Sequence, residues 1–208
     1  MERRHVAIYA VFLVLFGLVG YLAHQFANFP GDAAISGWLG GFDSAFFAWL
    51  MEAVSWLGDN PQTVVTVLGL VLVLLYFKRR LEAVFVVSVT ALAGLINWLL
   101  KALVDRPRPG SELLDSGGLS FPSGHVTYAV VLFGFLFYLA PRLFQRPAVA
   151  RIVQAILIML ILLTAISRVY LGAHRASDVL GSFLLGGLLL VPAVVFFHNR
   201  LKIRDRNA

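Results

Sequence analysis

The sequence has no cysteine and few charged residues. Asp, Glu, Lys and Arg make up 13% of its 208 residues, whereas hydrophobic residues make up 60%. Without cysteine the chain forms no disulfide, iron–sulfur cluster or thiolate metal site. With so little charge and a mean hydropathy of +0.85, the composition excludes an ordinary soluble domain and predicts an integral membrane protein.

Long charge-free runs occur six times along the chain. They lie at residues 6–23, 61–77, 83–100, 126–141, 152–167 and 179–197. Each is close in length to the roughly 20 residues that a helix needs to cross a bilayer core. We therefore predict an all-α polytopic membrane protein, a single domain over residues 1–208, with six transmembrane helices. Arg3 and Arg4 precede the first run, which we interpret as a signal anchor because no small-residue cleavage site follows it.

Most of the positive charge is gathered in four short stretches. Twelve of the 17 lysines and arginines lie at residues 3–4, 78–80, 142–151 and 200–206. Six spans place all four stretches on one side, which the positive-inside rule makes cytoplasmic, together with both termini. Such clusters anchor the topology and contact anionic membrane lipids, and their distribution argues against a nucleic-acid partner.

Residues 28–60, between the first and second runs, contain no lysine or arginine. Their apolar side chains fall on one side of a helix for which Asp43 is the expected N-cap, while Glu52 and Asp59 fall on the other side. The pattern predicts an interfacial amphipathic helix between spans 1 and 2 that lies flat at the outer surface. It caps the helix bundle or lines the path by which a lipid head group arrives, and the sequence does not choose between these roles.

Three polar strings interrupt the apolar sequence. They are Lys101 with Arg108-Pro109, Pro122 to His125, and Ser167-Arg168 with His174 and Asp178. Each string lies where a predicted span meets the outer surface. Prolines and glycines within residues 102–124, Gly117 among them, favour a loop that folds the first two strings together. We expect these residues, distant in sequence, to meet in one pocket.

The second string predicts an anion site at the start of a helix. Free backbone N–H groups and the positive end of the helix dipole attract anions at such a position. Ser123 is the expected N-cap hydroxyl, Gly124 lets a phosphate oxygen approach the backbone, and His125 falls in the first turn.

The third string pairs an imidazole with a carboxylate. His174 and Asp178 are four residues apart, so we expect them to share one face at the start of the last span. The carboxylate can then accept a proton from one ring nitrogen and leave the other as a lone pair, which makes the imidazole a nucleophile or base. Lys101, Arg108 and Arg168 add three positive charges. Asp178 removes one and a phosphate monoester brings about two negative charges, and a sum near zero favours a buried phosphate site.

The strings KALVDRPRP, FPSGH and SRVYLGAHRASD resemble the three signature motifs of the type 2 phosphatidic acid phosphatase superfamily, also called lipid phosphate phosphatases. The resemblance covers about residues 60–197. It implies that His174 is a nucleophile that forms a phosphohistidine, that Asp178 orients it, and that His125 protonates the departing group. It also implies a phosphate-binding set that works without a metal or other cofactor: Lys101, Arg108, Ser123, Gly124 and Arg168.

Two positions depart from a plain match to these motifs. Arg106-Pro107 offers a second Arg-Pro pair, and we choose Arg108 because six residues separate it from Lys101. Arg175 stands where members of the family often have an uncharged residue. It meets a second phosphate or an acidic head group, or it pairs with a local acid, and the sequence leaves both roles open.

We therefore expect a phosphatase of the cell membrane that hydrolyses the terminal phosphate of a lipid mono- or diphosphate at the extracytoplasmic face. Phosphatidylglycerol phosphate, phosphatidic acid and undecaprenyl diphosphate are unranked candidates, and the sequence does not fix the oligomeric state. A phosphotransferase that passes the same phosphoryl group to another lipid is the alternative enzyme. An anion transporter is the non-enzyme alternative, although it gives no reason for pairing His174 with Asp178 beside a second histidine.

Overall fold

The chain is described by a computed structural model that covers residues 3–110 and 118–206, so Gly117 of the predicted loop lies outside the described residues. Eight α-helices occur in these ranges: α1 (Arg3–Gln25), α2 (Asp32–Gly40), α3 (Ala45–Trp56), α4 (Asn60–Tyr76), α5 (Arg80–Val104), α6 (Gly124–Leu143), α7 (Pro147–Tyr170) and α8 (Ala176–Arg206). The described ranges contain no β-strand, only an isolated bridge between Pro107 and Leu119. The predicted all-α class is confirmed.

Four helices, α5 to α8, are long and apolar enough to cross a membrane. A fifth crossing results if α3 and α4 count as one span, although a bend of 65° separates them. The remaining apolar helix, Tyr9–Gln25, is shorter than these spans, as is α4 on its own with 17 residues. The chain is thus a multi-pass membrane protein with four to five helices of spanning length, whereas the sequence predicted six.

Helix α6 lies at the centre of the bundle. It packs against α5, α7 and α8, while α1 packs on α8 and α4 on α5. Phe135 and Leu139 of α6, Val86 of α5 and Phe197 of α8 are fully buried in the main hydrophobic cluster. The outward faces of the helices carry large exposed apolar side chains such as Leu72, which suits a lipid environment.

The segment between α1 and α4 forms two short helices instead of the one predicted. The expected N-cap at Asp43 is wrong, because Ser44 occupies that position and its Oγ accepts from the Phe47 backbone N–H at 3.4 Å. Helix α3 packs on α7 with Met51 and Val54 buried. The apolar side that the sequence analysis assigned to the outer interface is exposed; the exposed fraction of Trp49, for example, is 61%.

The two ends of the bundle differ in chemistry. Short basic turns join α4 to α5 and α6 to α7 at one end. At the opposite end Lys101 lies in the last turn of α5, Arg168 in the last turn of α7, and Asp178 in the first turn of α8. Gly124 begins α6 at this same end. Antiparallel packing of α5 to α8 therefore brings the three polar strings together.

Candidate active site

A cavity of about 470 Å³ opens where these helix ends meet. Five of the eight predicted site residues line it: Lys101, Arg108, Gly124, His125 and His174. The two imidazoles, which are 49 positions apart in sequence, therefore face one compartment. Its other walls come from the start of α4 and from one face of α5, including Thr90, Gly94 and Asn97.

Ser123, Arg168 and Asp178 lie buried behind this lining. Ser123 is the N-cap residue of α6, but its side chain makes no capping hydrogen bond, so the predicted capping role of its hydroxyl is wrong. Its backbone N–H donates instead to Ser182 Oγ at 2.7 Å. Within the described ranges Ser123 Oγ has no hydrogen-bond partner. A buried hydroxyl in this condition is suited to binding a polar ligand.

Lys101 and Arg168 are held by neighbouring segments. Lys101 Nζ donates to the carbonyl of Leu119, which ties α5 to the segment that precedes α6. Arg168 Nη1 donates to Ser55 Oγ of α3. The two side chains are therefore held in place by a backbone oxygen and a hydroxyl oxygen, both of them neutral.

His174 lies in the turn before α8, not in the helix itself as predicted. Its Nδ1 is 3.7 Å from Asp178 Oδ2, beyond hydrogen-bond length, and that oxygen accepts the Arg175 backbone N–H at 2.8 Å. With Nδ1 turned toward the carboxylate, Nε2 is the remaining nitrogen of the ring. Burial lowers the pKa of His174 to about 4; Asp178 opposes this shift, and the charge of Lys101 adds to it. The imidazole is therefore neutral near pH 7 and keeps the lone pair that a nucleophile needs.

Arg106 is more than the neighbour of Arg108 that the sequence suggested. Its side chain is fully buried, and Nη1 donates to Asp178 Oδ1 at 2.6 Å and to Ser177 Oγ at 2.8 Å. Nη2 reaches Asp32 Oδ2 of α2 at 3.3 Å. Arg106 therefore compensates the charge of Asp178 only in part, because the same guanidinium also pairs with Asp32.

The side chain of Arg175 donates hydrogen bonds to neutral oxygens of two loops. Its Nη1 donates to the Pro107 carbonyl at 2.7 Å and its Nε to Asn28 Oδ1 at 2.8 Å. The side chain thus joins the loop after α1 to the loop after α5, and it does not line the cavity. Both partners are neutral oxygens, and a charge pattern in the sequence does not indicate such partners.

Asp59 is the residue at the cavity that sequence reasoning missed. It was assigned to the polar face of an interfacial helix, but it lines the cavity, and its Oδ1 lies 3.0 Å from His125 Nε2. The available signal was its place in Asp59-Asn60-Pro61, where an acid directly precedes a predicted span. That position puts it in the same outer layer as the string containing His125.

Fold and site together define a helical membrane protein whose helix ends gather cations and two imidazoles around an anion cavity. The PAP2 superfamily model matches residues 82–202, and the chain belongs to this superfamily. Phosphatidylglycerophosphatase B of Bacillus subtilis (strain 168) is 28% identical over 202 residues, covering 95% of this chain and 96% of that protein. Dolichyldiphosphatase 1 of Homo sapiens is 30% identical over 140 residues, covering 62% of this chain and 58% of that protein.

A solved structure shares the architecture. The PAP2-type phosphatidylglycerolphosphate phosphatase from Bacillus subtilis superposes with a TM-score of 0.81 at 25% identity, covering 92% of this chain and 96% of that one. These relatives are phosphatases by name. The chain is a membrane phosphate hydrolase of the PAP2 superfamily.

Proposed function

We propose that this protein hydrolyses the terminal phosphate of a lipid mono- or diphosphate through a phosphohistidine on His174. The observation that carries the proposal is the shared cavity, in which both imidazoles face the same space as Lys101 and Arg108. A phosphoryl group held there would lie between a neutral nucleophile and a second imidazole. An anion filter has no need of that pair, so the arrangement favours phosphoryl transfer over transport.

The reaction has two steps in this proposal. His174 Nε2 attacks phosphorus, the bond from phosphorus to the lipid oxygen breaks, and protonated His125 gives its proton to the departing oxygen. Water then attacks the phosphohistidine, His125 takes the proton from that water, and the bond between nitrogen and phosphorus breaks to release phosphate. Asp178 stabilises the charge that develops on the nucleophilic ring. Charge on the phosphoryl oxygens is met by Lys101, Arg108, Arg168, the Ser123 hydroxyl and the backbone at Gly124.

The shape of the cavity supports a lipid substrate. Its lining includes Thr90, Gly94 and Lys101 of α5, which extend over about 16 Å of the helix axis. The charged end accommodates a head group, and the deeper part, between α4 and α5, accommodates the beginning of an acyl or prenyl chain. The three candidate substrates, phosphatidylglycerol phosphate, phosphatidic acid and undecaprenyl diphosphate, each combine a phosphorylated head group with an apolar chain.

We also propose the orientation of the protein in the cell membrane. In a six-span arrangement α1 and α4 complete the crossings, with both termini and the basic turns in the cytoplasm. The cavity lies at the opposite end of the bundle and therefore at the extracytoplasmic face. Helices α2 and α3 then lie in the outer interface beside it.

We expect the purified protein to release inorganic phosphate from these three lipids in the presence of excess chelator. In the proposal, the positive charges of Lys101, Arg108 and Arg168 stabilise the negative phosphoryl oxygens, as a metal ion does in other phosphatases. The measurement is phosphate release in detergent micelles with and without EDTA. Loss of all activity on chelation, restored by a divalent cation, would contradict the mechanism, and transfer without free phosphate would favour a phosphotransferase.

Replacing Gly94 by leucine tests the location of the lipid chain. Gly94 lines the cavity, and a Cβ there meets no atom within 4 Å, so leucine at this position should narrow the cavity without a steric clash at Cβ. We expect kcat/KM for dioleoyl phosphatidic acid to fall by about tenfold or more, as when a pocket excludes a few methylene groups. Hydrolysis of p-nitrophenyl phosphate, which has no such chain, should hardly change.

Gly69→Leu is the matched control, because Gly69 of α4 also has open space around it and does not line the cavity. Equal loss of lipid hydrolysis in both variants would assign the effect to the membrane-facing surface. Unchanged lipid hydrolysis in Gly94→Leu would exclude this part of the cavity as the chain site.

A further inference from the structure

The side chain of Asp59 does not do what its backbone position favours. Asp59 is the N-cap residue of α4, where an aspartate normally accepts a hydrogen bond from the first turn. No such bond is present. The carboxylate lies against His125 instead, with Oδ1 at 3.0 Å from Nε2. Because a carboxylate only accepts, Nε2 carries the hydrogen of this bond, and Nδ1 is the nitrogen left for a ligand.

The turn before α4 is shaped to hold the His125 ring at this place. A Cβ added to Gly58 would lie 2.5 Å from His125 Cδ2 and 3.0 Å from its Cγ. A side chain at position 58 is therefore incompatible with the ring, whereas glycine lets the backbone lie against it. Gly58, Asp59 and His125 all line the cavity. Both the close approach and the hydrogen bond orient the imidazole toward the phosphate site.

We propose that Asp59 is a positioning residue that holds His125 as the proton donor to the leaving group, an inference that rests on the proposed function. The carboxylate fixes the tautomer with hydrogen on Nε2, so that a proton gained by the ring lies on Nδ1 and is the one transferred. When the phosphorus–oxygen bond breaks, that proton moves to the departing oxygen and His125 becomes neutral. In the second step the same nitrogen takes a proton from the attacking water.

This assignment makes the importance of Asp59 depend on the leaving group. An alkoxide leaving from a lipid monophosphate is strongly basic and needs the proton during bond cleavage. A p-nitrophenolate is stable without it. A residue that acts only through the proton donor therefore matters for the first substrate and hardly for the second, whereas a residue that merely supports the fold affects both alike.

The experiment compares Asp59→Asn with wild type in single turnovers with enzyme in excess, following release of the leaving group alone. We expect cleavage of a short-chain phosphatidic acid to slow by about 100-fold and cleavage of p-nitrophenyl phosphate by no more than about threefold. Asp59→Glu, which returns the carboxylate, should recover part of the lost rate. Asp43→Asn is the control, since it removes the same charge from an exposed position outside the cavity.

A second arm places Asp59→Asn in a His125→Ala background, where it should cause no further loss. The proposal is overturned if Asp59→Asn slows both substrates equally, slows neither, or lowers the His125→Ala rate by a similar factor again. A folded wild-type protein that cleaves neither substrate would instead overturn the proposed function, and this inference with it. The two failures are therefore distinguishable.

Discussion

Replacing His174 by alanine should abolish phosphate release from lipid phosphates. In the proposed mechanism His174 forms the bond to phosphorus, and no other imidazole in the cavity has a buried carboxylate behind it. We expect kcat to fall by about 10⁴-fold or more, the size of effect found when a covalent nucleophile is removed. The measurement is phosphate release from phosphatidic acid by purified protein, with the melting temperature in detergent as the test of folding.

His198→Ala is the matched control for this variant. His174 precedes the first turn of α8, whereas His198 lies toward the far end of that helix, where its Nδ1 is 3.2 Å from the Tyr138 hydroxyl. Its removal should leave kcat unchanged. Substantial hydrolysis by a folded His174→Ala protein would contradict the phosphohistidine, and the cavity would then have to act by direct attack of water.

Replacing Arg106 and replacing Arg108 should have different effects, although both arginines belong to an Arg-Pro pair in the same string. Arg106→Met leaves Asp178 and Asp32 buried without their shared cation. Breaking a buried pair in this way costs about 3–5 kcal/mol, and the melting temperature should fall by roughly 10 °C. Arg108→Met removes a charge from the half-buried lining of the cavity. It should leave the melting temperature nearly unchanged while lowering kcat/KM by about 10²- to 10³-fold.

The two arginine variants serve as controls for each other. Thermal unfolding in detergent measures the stability of each variant, and phosphate release measures its activity. A stable, inactive Arg106→Met protein together with an unstable, active Arg108→Met protein would reverse the assignment. Equal stability of both variants would mean that Asp178 does not depend on Arg106, and its position behind His174 would need another explanation.

Predictions from the sequence succeeded where a local residue pattern is typical of only one kind of structure. Charge-free runs of spanning length predict helices in a membrane, and α5 to α8 contain four of the predicted runs nearly unchanged. Placing each polar string at a helix end was sufficient to expect a common pocket. The superfamily followed from the same strings. Helix α4 and the apolar part of α1 are shorter than these four helices, and local hydropathy does not encode where a helix bends or how far it extends.

The sequence failed where partners depend on a contact between distant segments. His174 and Asp178 are close in sequence, so their association was expected; Asp59 and His125 are 66 positions apart, and no local rule connects them. Spacing favoured Arg108, which lines the cavity, but it gave no indication that Arg106 would pair with Asp178. The Ser123 hydroxyl and the Asp59 carboxylate both occupy N-cap positions without capping, which a propensity rule cannot anticipate.

The sequence by itself determined that this protein lies in a membrane and that it is helical, and its three polar strings indicated the superfamily. Composition and helix periodicity are local properties of the sequence, and they are sufficient to predict membrane helices. Only the tertiary structure decided that the Asp59 carboxylate lies against His125 and that Arg106 is fully buried. Those pairings depend on distances of about 3 Å between side chains from different helices, and such distances are set by how the whole bundle packs.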